Sequence, residues 1–269
     1  MPKRTLVTHT RIFGIIGRRT INTFVYLIDL TVFIMQTRRS WESRGGLFNK
    51  AGRQAVVNQL IFTGIDALPT ITILSLAIGV SVTAQLIFLV QVFGSEADVV
   101  HVLTQVVALE LGSLITAIVV IGRSGSAIAV DLGNMSLHRE IEGLEMLGID
   151  LIDFFVSPRM IGTSIAQLAL AIYFAVLAII SGVVSAALIE SMSYMKYLRI
   201  IGQAFEPTDL MVFLIKNAMF GIIIGATACY HGLQVTVSPT EVPQQTQRAI
   251  VNSLVIIFVL DGLIALALL

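Results

Sequence analysis

Charged residues make up only 13% of this 269-residue chain, while 56% of it is hydrophobic and its mean hydropathy is +0.90. A soluble domain of this size has too little interior to hide that much apolar surface, so the scarcity of charge excludes an ordinary soluble globule. A single cysteine, Cys229, excludes a disulfide within the chain and reads as a small packing residue in an apolar run. The four histidines, His9, His101, His138 and His231, are far apart and lack ligand spacing, so no metal site is expected. No Gly-Lys pair occurs, which excludes the loop G-x-x-x-x-G-K-[ST]; any ATP must be bound by a separate subunit. No small-x-small site follows the first apolar run, so no cleavable signal peptide is expected.

What is present is a set of long apolar runs. A bilayer accepts apolar side chains on the outside of a protein, and a helix crosses it with about 20 residues. Five runs qualify, at about 70–93, 101–122, 159–189, 209–231 and 249–269. The fold class expected is an all-α integral membrane protein, with an interfacial helix, five transmembrane helices and a short cytoplasmic coupling helix between spans 2 and 3. Residues 1–53 form a basic amino-terminal segment, and 54–269 form the five-span domain. Within the former, 21–36 is short for a span; Asn22, Asp29 and Gln36 fall seven apart in one polar stripe, the pattern of a helix lying in the membrane interface. Trp41 fits a headgroup-level anchor, 54–68 an amphipathic lead-in, and Pro69 the start of span 1. Residues 190–207 are expected to hold a short helical piece, and 232–247 to be a loop with Pro239 and Pro243.

Basic residues set the orientation. With the amino terminus inside, fourteen of the 17 Lys and Arg fall on the inner side, including the ten before residue 70, and only Lys196 and Arg199 fall outside. The amino terminus and the 123–158 insert are then cytoplasmic, and the carboxyl terminus lies outside. The basic segment reads as lipid-facing; without interleaved aromatic residues it does not read as a nucleic-acid surface.

Three ionisable residues fall within spans: Glu110, Lys216 and Asp261. Such residues are costly and usually face a bundle interior or cavity. At about 1.5 Å per residue all three lie roughly 9–12 Å below the outer surface, so a mutually compensated cluster is expected. In the insert, Met135–Leu147 reads as a short acidic amphipathic helix. Met135, Leu137, Ile141, Leu144 and Leu147 make its apolar face, His138 sits within it, and Glu140, Glu142 and Glu145 fill much of the rest. Gly148 is its expected C-cap. A helix of this kind suits docking into a groove on a soluble partner. Gly122-Arg123-Ser124-Gly125 also matches the GxSG pattern of intramembrane serine proteases, for which His231 is the one base at a span end.

The stretch from Leu109 to Arg159 reads L-E-L-G-S, then I-G-R-S-G-S-A-I-A-V-D-L-G-N-M, then E-I-E-G-L-E-M-L-G-I-D, then V-S-P-R. It resembles the signature of the MlaE/YrbE permeases of MCE-type ABC lipid transporters, and the resemblance extends over about 50–269. It implies a homodimer in the bacterial inner membrane, with 134–147 docking on a cytoplasmic ATPase that binds ATP and magnesium. It also implies a periplasmic MCE-domain ring protein and a phospholipid in an outward-facing cavity, whose outer part the depth of Glu110, Lys216 and Asp261 matches. This chain departs from the pattern at Ser113 and Leu109, where the family has proline and often a basic residue, and at Leu151, where it has proline. An intramembrane enzyme, or a proton-coupled transporter using Glu110, Lys216 and Asp261, is the alternative reading.

Overall fold

The computed structural model describes residue 21 and residues 23–40, 50–93, 110–190, 207–236 and 238–268. Trp41, the 94–98 loop and the helical piece expected within 190–207 lie outside the described residues. The elements are α1 (23–40), α2 (Lys50–Phe93), α3 (Gly112–Val120), a π-helical turn (Ile121–Gly125), α4 (Ser126–Leu137) and α5 (Glu140–Met146). A second π-helical turn (Ile152–Val156), α6 (Ser157–Glu190), α7 (Pro207–Gly232) and α8 (Glu241–Leu268) complete them. Among the described residues five helical segments are long and apolar enough to cross a bilayer: Gly52–Gln85, Gly112–Leu137, Ile152–Leu188, Pro207–Gly232 and Glu241–Ala267. A spanning helix satisfies its own backbone groups, which is why a bundle of this kind is the form an apolar chain takes in lipid.

The outward faces are apolar at helical spacing. Ile65, Ile73, Leu76 and Val80 line one side of α2; Ile165, Ile172, Val176 and Ile180 that of α6; Val251, Val255, Phe258 and Val259 that of α8. These faces suit lipid tails, as they would not suit water. Inside, Phe174 of α6 and Phe220 of α7 are fully buried with Ile71 of α2 and Ile121. In lipid there is little hydrophobic drive between helices, so association rests on close packing and on polar contacts. Glycines supply the close approach. A Cβ at Gly221 of α7 would stand 2.4 Å from Ser164 Cα on α6. One at Gly79 of α2 would stand 2.4 Å from the Ala178 carbonyl oxygen on α6.

Several boundaries differ from the sequence expectations, among them the start of span 3, which lies at Ile152 rather than near 159. Pro69 does not open span 1; it lies inside the 44-residue α2, which absorbs the lead-in 54–68. Proline removes one backbone hydrogen bond, but in a bilayer unravelling the helix would expose many more. Arg123 braces this stretch of α2, donating from Nη1 to the Asp66 carbonyl, with Nη2 3.4 Å from the Asp66 carboxylate. The insert does not begin at Gly122 either. The helix continues through the π-helical turn into α4, whose Ile128, Ala129 and Leu132 are buried against α7 and α8. Ser126 Oγ donates back to the Gly122 carbonyl at 2.6 Å, consuming the polarity that made this stretch look like a loop. Last, α8 starts at Glu241 rather than near 249, taking Pro243 into its first turn, where a missing N–H leaves no bond unmade.

Candidate functional site

The structure brings Glu110, Lys216 and Asp261 together. Lys216 Nζ, on α7, donates to Glu110 Oε2 at 2.8 Å and lies 3.0 Å from Asp261 Oδ1 on α8. The Asp261 oxygen receives no aligned hydrogen bond, so that contact is Coulombic. The lysine side chain is 2% exposed, that of Asp261 11%, and that of Glu110 33%. Glu110 is therefore the open member, and Lys216 is enclosed by its partners. Their formal charges sum to −1, and the arrangement ties α7 to α8 and to the residue that leads into α3.

A second polar layer lies next to it. Asn217 Nδ2 donates to Ser113 Oγ at 2.8 Å and to the Phe213 carbonyl at 2.9 Å, and Gln167 Nε2 donates to Asn217 Oδ1 at 3.2 Å. Ser113, Gln167 and Asn217 are all fully buried, and Gln167 Oε1 has no partner. Sequence reasoning centred on full charges passed over this layer. Its signal was present: an amide alone in each of two apolar spans has to find a partner inside the bundle. Ser113, where the resembling family has proline, supplies the hydroxyl that joins them.

The expected coupling helix is divided. Met135 lies in the last turn of α4, and His138 and Arg139 form a turn in which Arg139 is left-handed, at φ 58°. Only Glu140, Ile141, Leu144 and Glu145 lie on α5, with Leu147 at its C-cap. The break follows from an anchor: Ser136 Oγ donates to the Val235 carbonyl at 2.6 Å, holding the end of α4 on the turn after α7. Gly148 ends α5 at φ +76°, the conformation glycine adopts at no steric cost. No residue of α5 is buried, Met146 is 87% exposed and Leu147 76%. Asp150 Oδ1 then accepts from the Ile152 N–H at 2.9 Å, starting the next helical turn without the proline.

Ser124 and His231 do not form a nucleophile–base pair. Ser124 Oγ is buried with no hydrogen-bond partner. The His231 ring is occupied on both sides, Nδ1 3.1 Å from Gln245 Oε1 and Nε2 3.0 Å from Asn252 Nδ2, with Tyr26 of α1 stacked on its face at 5.4 Å. The Ser124→Ala variant removes an unpaired buried hydroxyl, whose burial typically costs about 1–3 kcal/mol. It is expected to melt in detergent no lower than the parent and to keep its activity. Loss of activity in a well-folded variant would restore the serine as a nucleophile.

Among the described residues no three His, Cys, Asp or Glu side chains are placed to hold a metal ion. Buried charge within the spans, small-residue helix crossings and a short exposed helix at one end of the bundle define a multi-pass helical membrane protein. The profile of the family "Permease MlaE" matches residues 56–267, and the chain belongs to that family. It is similar to the chloroplast protein trigalactosyldiacylglycerol 1 of Arabidopsis thaliana, with 32% identity over 76% of this chain and 59% of that one. A probable ABC transporter permease protein of Rickettsia bellii is 27% identical over 78% of this chain and 81% of its own length. The intermembrane phospholipid transport system permease protein MlaE of Haemophilus influenzae is 23% identical over 77% and 79%. The match thus spans less than two thirds of the plant protein but about four fifths of the bacterial ones.

Proposed function

We propose that this chain is the permease subunit of an ABC transporter that moves phospholipid between the bacterial inner membrane and the periplasm or outer membrane. The observation that carries the reading is the family match across 56–267, which takes in four of the five spanning segments whole and all but the first four residues of the other. The name of the Haemophilus influenzae relative supplies the substrate class. Two copies of the chain work together, with the amino terminus cytoplasmic, the carboxyl terminus periplasmic and α1 along the membrane interface. A separate cytoplasmic ATPase binds ATP and magnesium and receives α5, while a periplasmic MCE-domain protein takes up lipid above the dimer. The partly open Glu110 and the enclosed Lys216 and Asp261 face the lipid path, and ATP hydrolysis in the partner shifts the helices between states of different lipid affinity.

The test is ATP-dependent transfer of a fluorescent phosphatidylethanolamine out of proteoliposomes that hold the complex purified with its ATPase and MCE subunits. Transfer that needs ATP supports the proposal; transfer driven by a proton gradient without ATP overturns it. The docking of α5 has its own test. Replacing Met146 and Leu147 together by Asp should abolish co-purification of the ATPase. The melting temperature should stay unchanged, since both side chains are exposed. Retention of the ATPase by that variant would remove α5 from the interface.

A further inference from the structure

At the α4–α5 end of the bundle, a cavity of about 580 Å³ opens between α2, α4 and the start of α6. Its walls include Asn58, Gln59 and Phe62 of α2, Asp131 of α4, and Phe155 and Arg159. The Arg159 side chain is only 15% exposed. Its Nη2 lies 2.5 Å from Asp131 Oδ2, and its guanidinium sits 5.7 Å from the centre of the Phe155 ring. Nη1 is buried and has no hydrogen-bond partner. A guanidinium carries five donors, and a buried one left unmet is a standing cost that a ligand oxygen would relieve. Asp131 neutralises one edge of the group and is itself 60% exposed, at the rim.

The level of the cavity identifies what reaches it. Along α2, Arg53, Gln54 and Asn58 are exposed before and at it, and Val57, Ile61, Phe62 and Ile65 are exposed alongside and beyond it; Asp66, also exposed there, is paired with Arg123. Phe154, on the opposite wall, is 52% exposed. Polar surface giving way to exposed apolar surface within two helical turns marks the boundary between headgroups and acyl chains. A soluble partner's groove would not be rimmed by apolar residues that continue into the lipid-facing stripe.

We propose that this cavity binds a phospholipid of the leaflet at the α4–α5 end, its phosphate taking a hydrogen bond from Arg159 Nη1. Its acyl chains leave between Phe62 and Phe154. The site uses only the membrane placement of the helices and goes beyond the transport reading. It sits at the base of α4, which leads through the His138–Arg139 turn into α5, so its occupancy would bear on the exposed helix.

Photo-crosslinking tests it. p-Benzoylphenylalanine replaces Phe154 in the full chain, reconstituted in vesicles of digalactosyldiacylglycerol, a phosphate-free lipid, with limiting radiophosphate-labelled phosphatidylethanolamine. The same probe at Phe258 of α8, which is 49% exposed, reports bulk lipid. Arg159→Gln should cut labelling at 154 about tenfold, in line with one hydrogen bond to a charged group, and leave labelling at 258 unchanged. Arg159→Lys should keep most of the signal, and Asp131→Asn, which frees the guanidinium, should raise it. Labelling at 154 that ignores both Arg159→Gln and Asp131→Asn would overturn the proposal. So would loss of the signal to excess glycerol 3-phosphate, which would assign the cavity to a soluble phosphate ester. Neither result depends on whether the complex moves lipid.

Discussion

Lys216→Leu is expected to be the most damaging single substitution in the chain. The ammonium is 2% exposed and stands 2.8 Å and 3.0 Å from two carboxylates. Its removal leaves Glu110 and Asp261 as neighbouring like charges inside the bundle. Breaking a buried pair by deleting one partner costs about 3–5 kcal/mol, against a typical total stability of roughly 5–15 kcal/mol. The variant should accumulate at a small fraction of the parent level in membranes, and any material recovered should have lost lipid transfer. Glu110→Gln should be milder, because that side chain is 33% exposed and water already reaches it. Replacing all three by neutral residues of similar size, Glu110→Gln, Lys216→Met and Asp261→Asn, removes the unpaired charge and should restore the yield. The triple variant then separates two roles. If it folds and transfers lipid, the cluster only locks the helices; if it folds and fails, the charges act in transport. Normal yield and activity of Lys216→Leu would show that the cluster contributes to neither.

Gly221→Val should be nearly as severe, for a steric reason. The new Cβ would stand 2.4 Å from Ser164 Cα and 2.7 Å from the Thr163 carbonyl oxygen, both backbone atoms of α6 that cannot rotate away. Forcing extra volume into a well-packed core costs typically about 1–3 kcal/mol, occasionally more. Here the whole α6–α7 crossing must open, and with it the hydrogen bond from Ser164 Oγ to the Ala218 carbonyl at 2.8 Å. A large fall in melting temperature measured in detergent is the expected result. Gly64→Val, where nothing lies within 4 Å of the added carbon, is the control and should melt close to the parent.

The spans were legible because lipid demands one thing of a sequence, a run of apolar residues long enough to cross. The rule is weaker where a helix leaves the apolar layer. Residues 123–137 carry Arg123, Ser124, Ser126, Asp131, Asn134 and Ser136, and averaging over them hides the helix. Its buried face was nevertheless written at helical spacing, in Gly125, Ile128, Ala129, Leu132 and Gly133. Pro69 misled for a related reason: a proline that marks a helix start in water is tolerated mid-helix where no water can replace the lost bonds. Of the candidate site, the three charges were readable because each is anomalous in its span, and their shared depth suggested contact. The amide layer of Gln167 and Asn217 was not read, since a neutral amide disturbs an apolar average far less than a charge does. The division between α4 and α5 was beyond the sequence. It depends on Ser136 meeting the Val235 carbonyl 99 positions away.

The central claim, that this member of the Permease MlaE family works as the membrane half of an ATP-driven phospholipid transporter, is most directly tested by the mass of the native assembly. The complex would be extracted gently from its own membranes through a tag on this chain and analysed by native mass spectrometry. Two copies of this chain, two nucleotide-binding subunits and bound phospholipid are predicted. This chain recovered without any nucleotide-binding subunit, even when the ATPase is co-expressed, would contradict it.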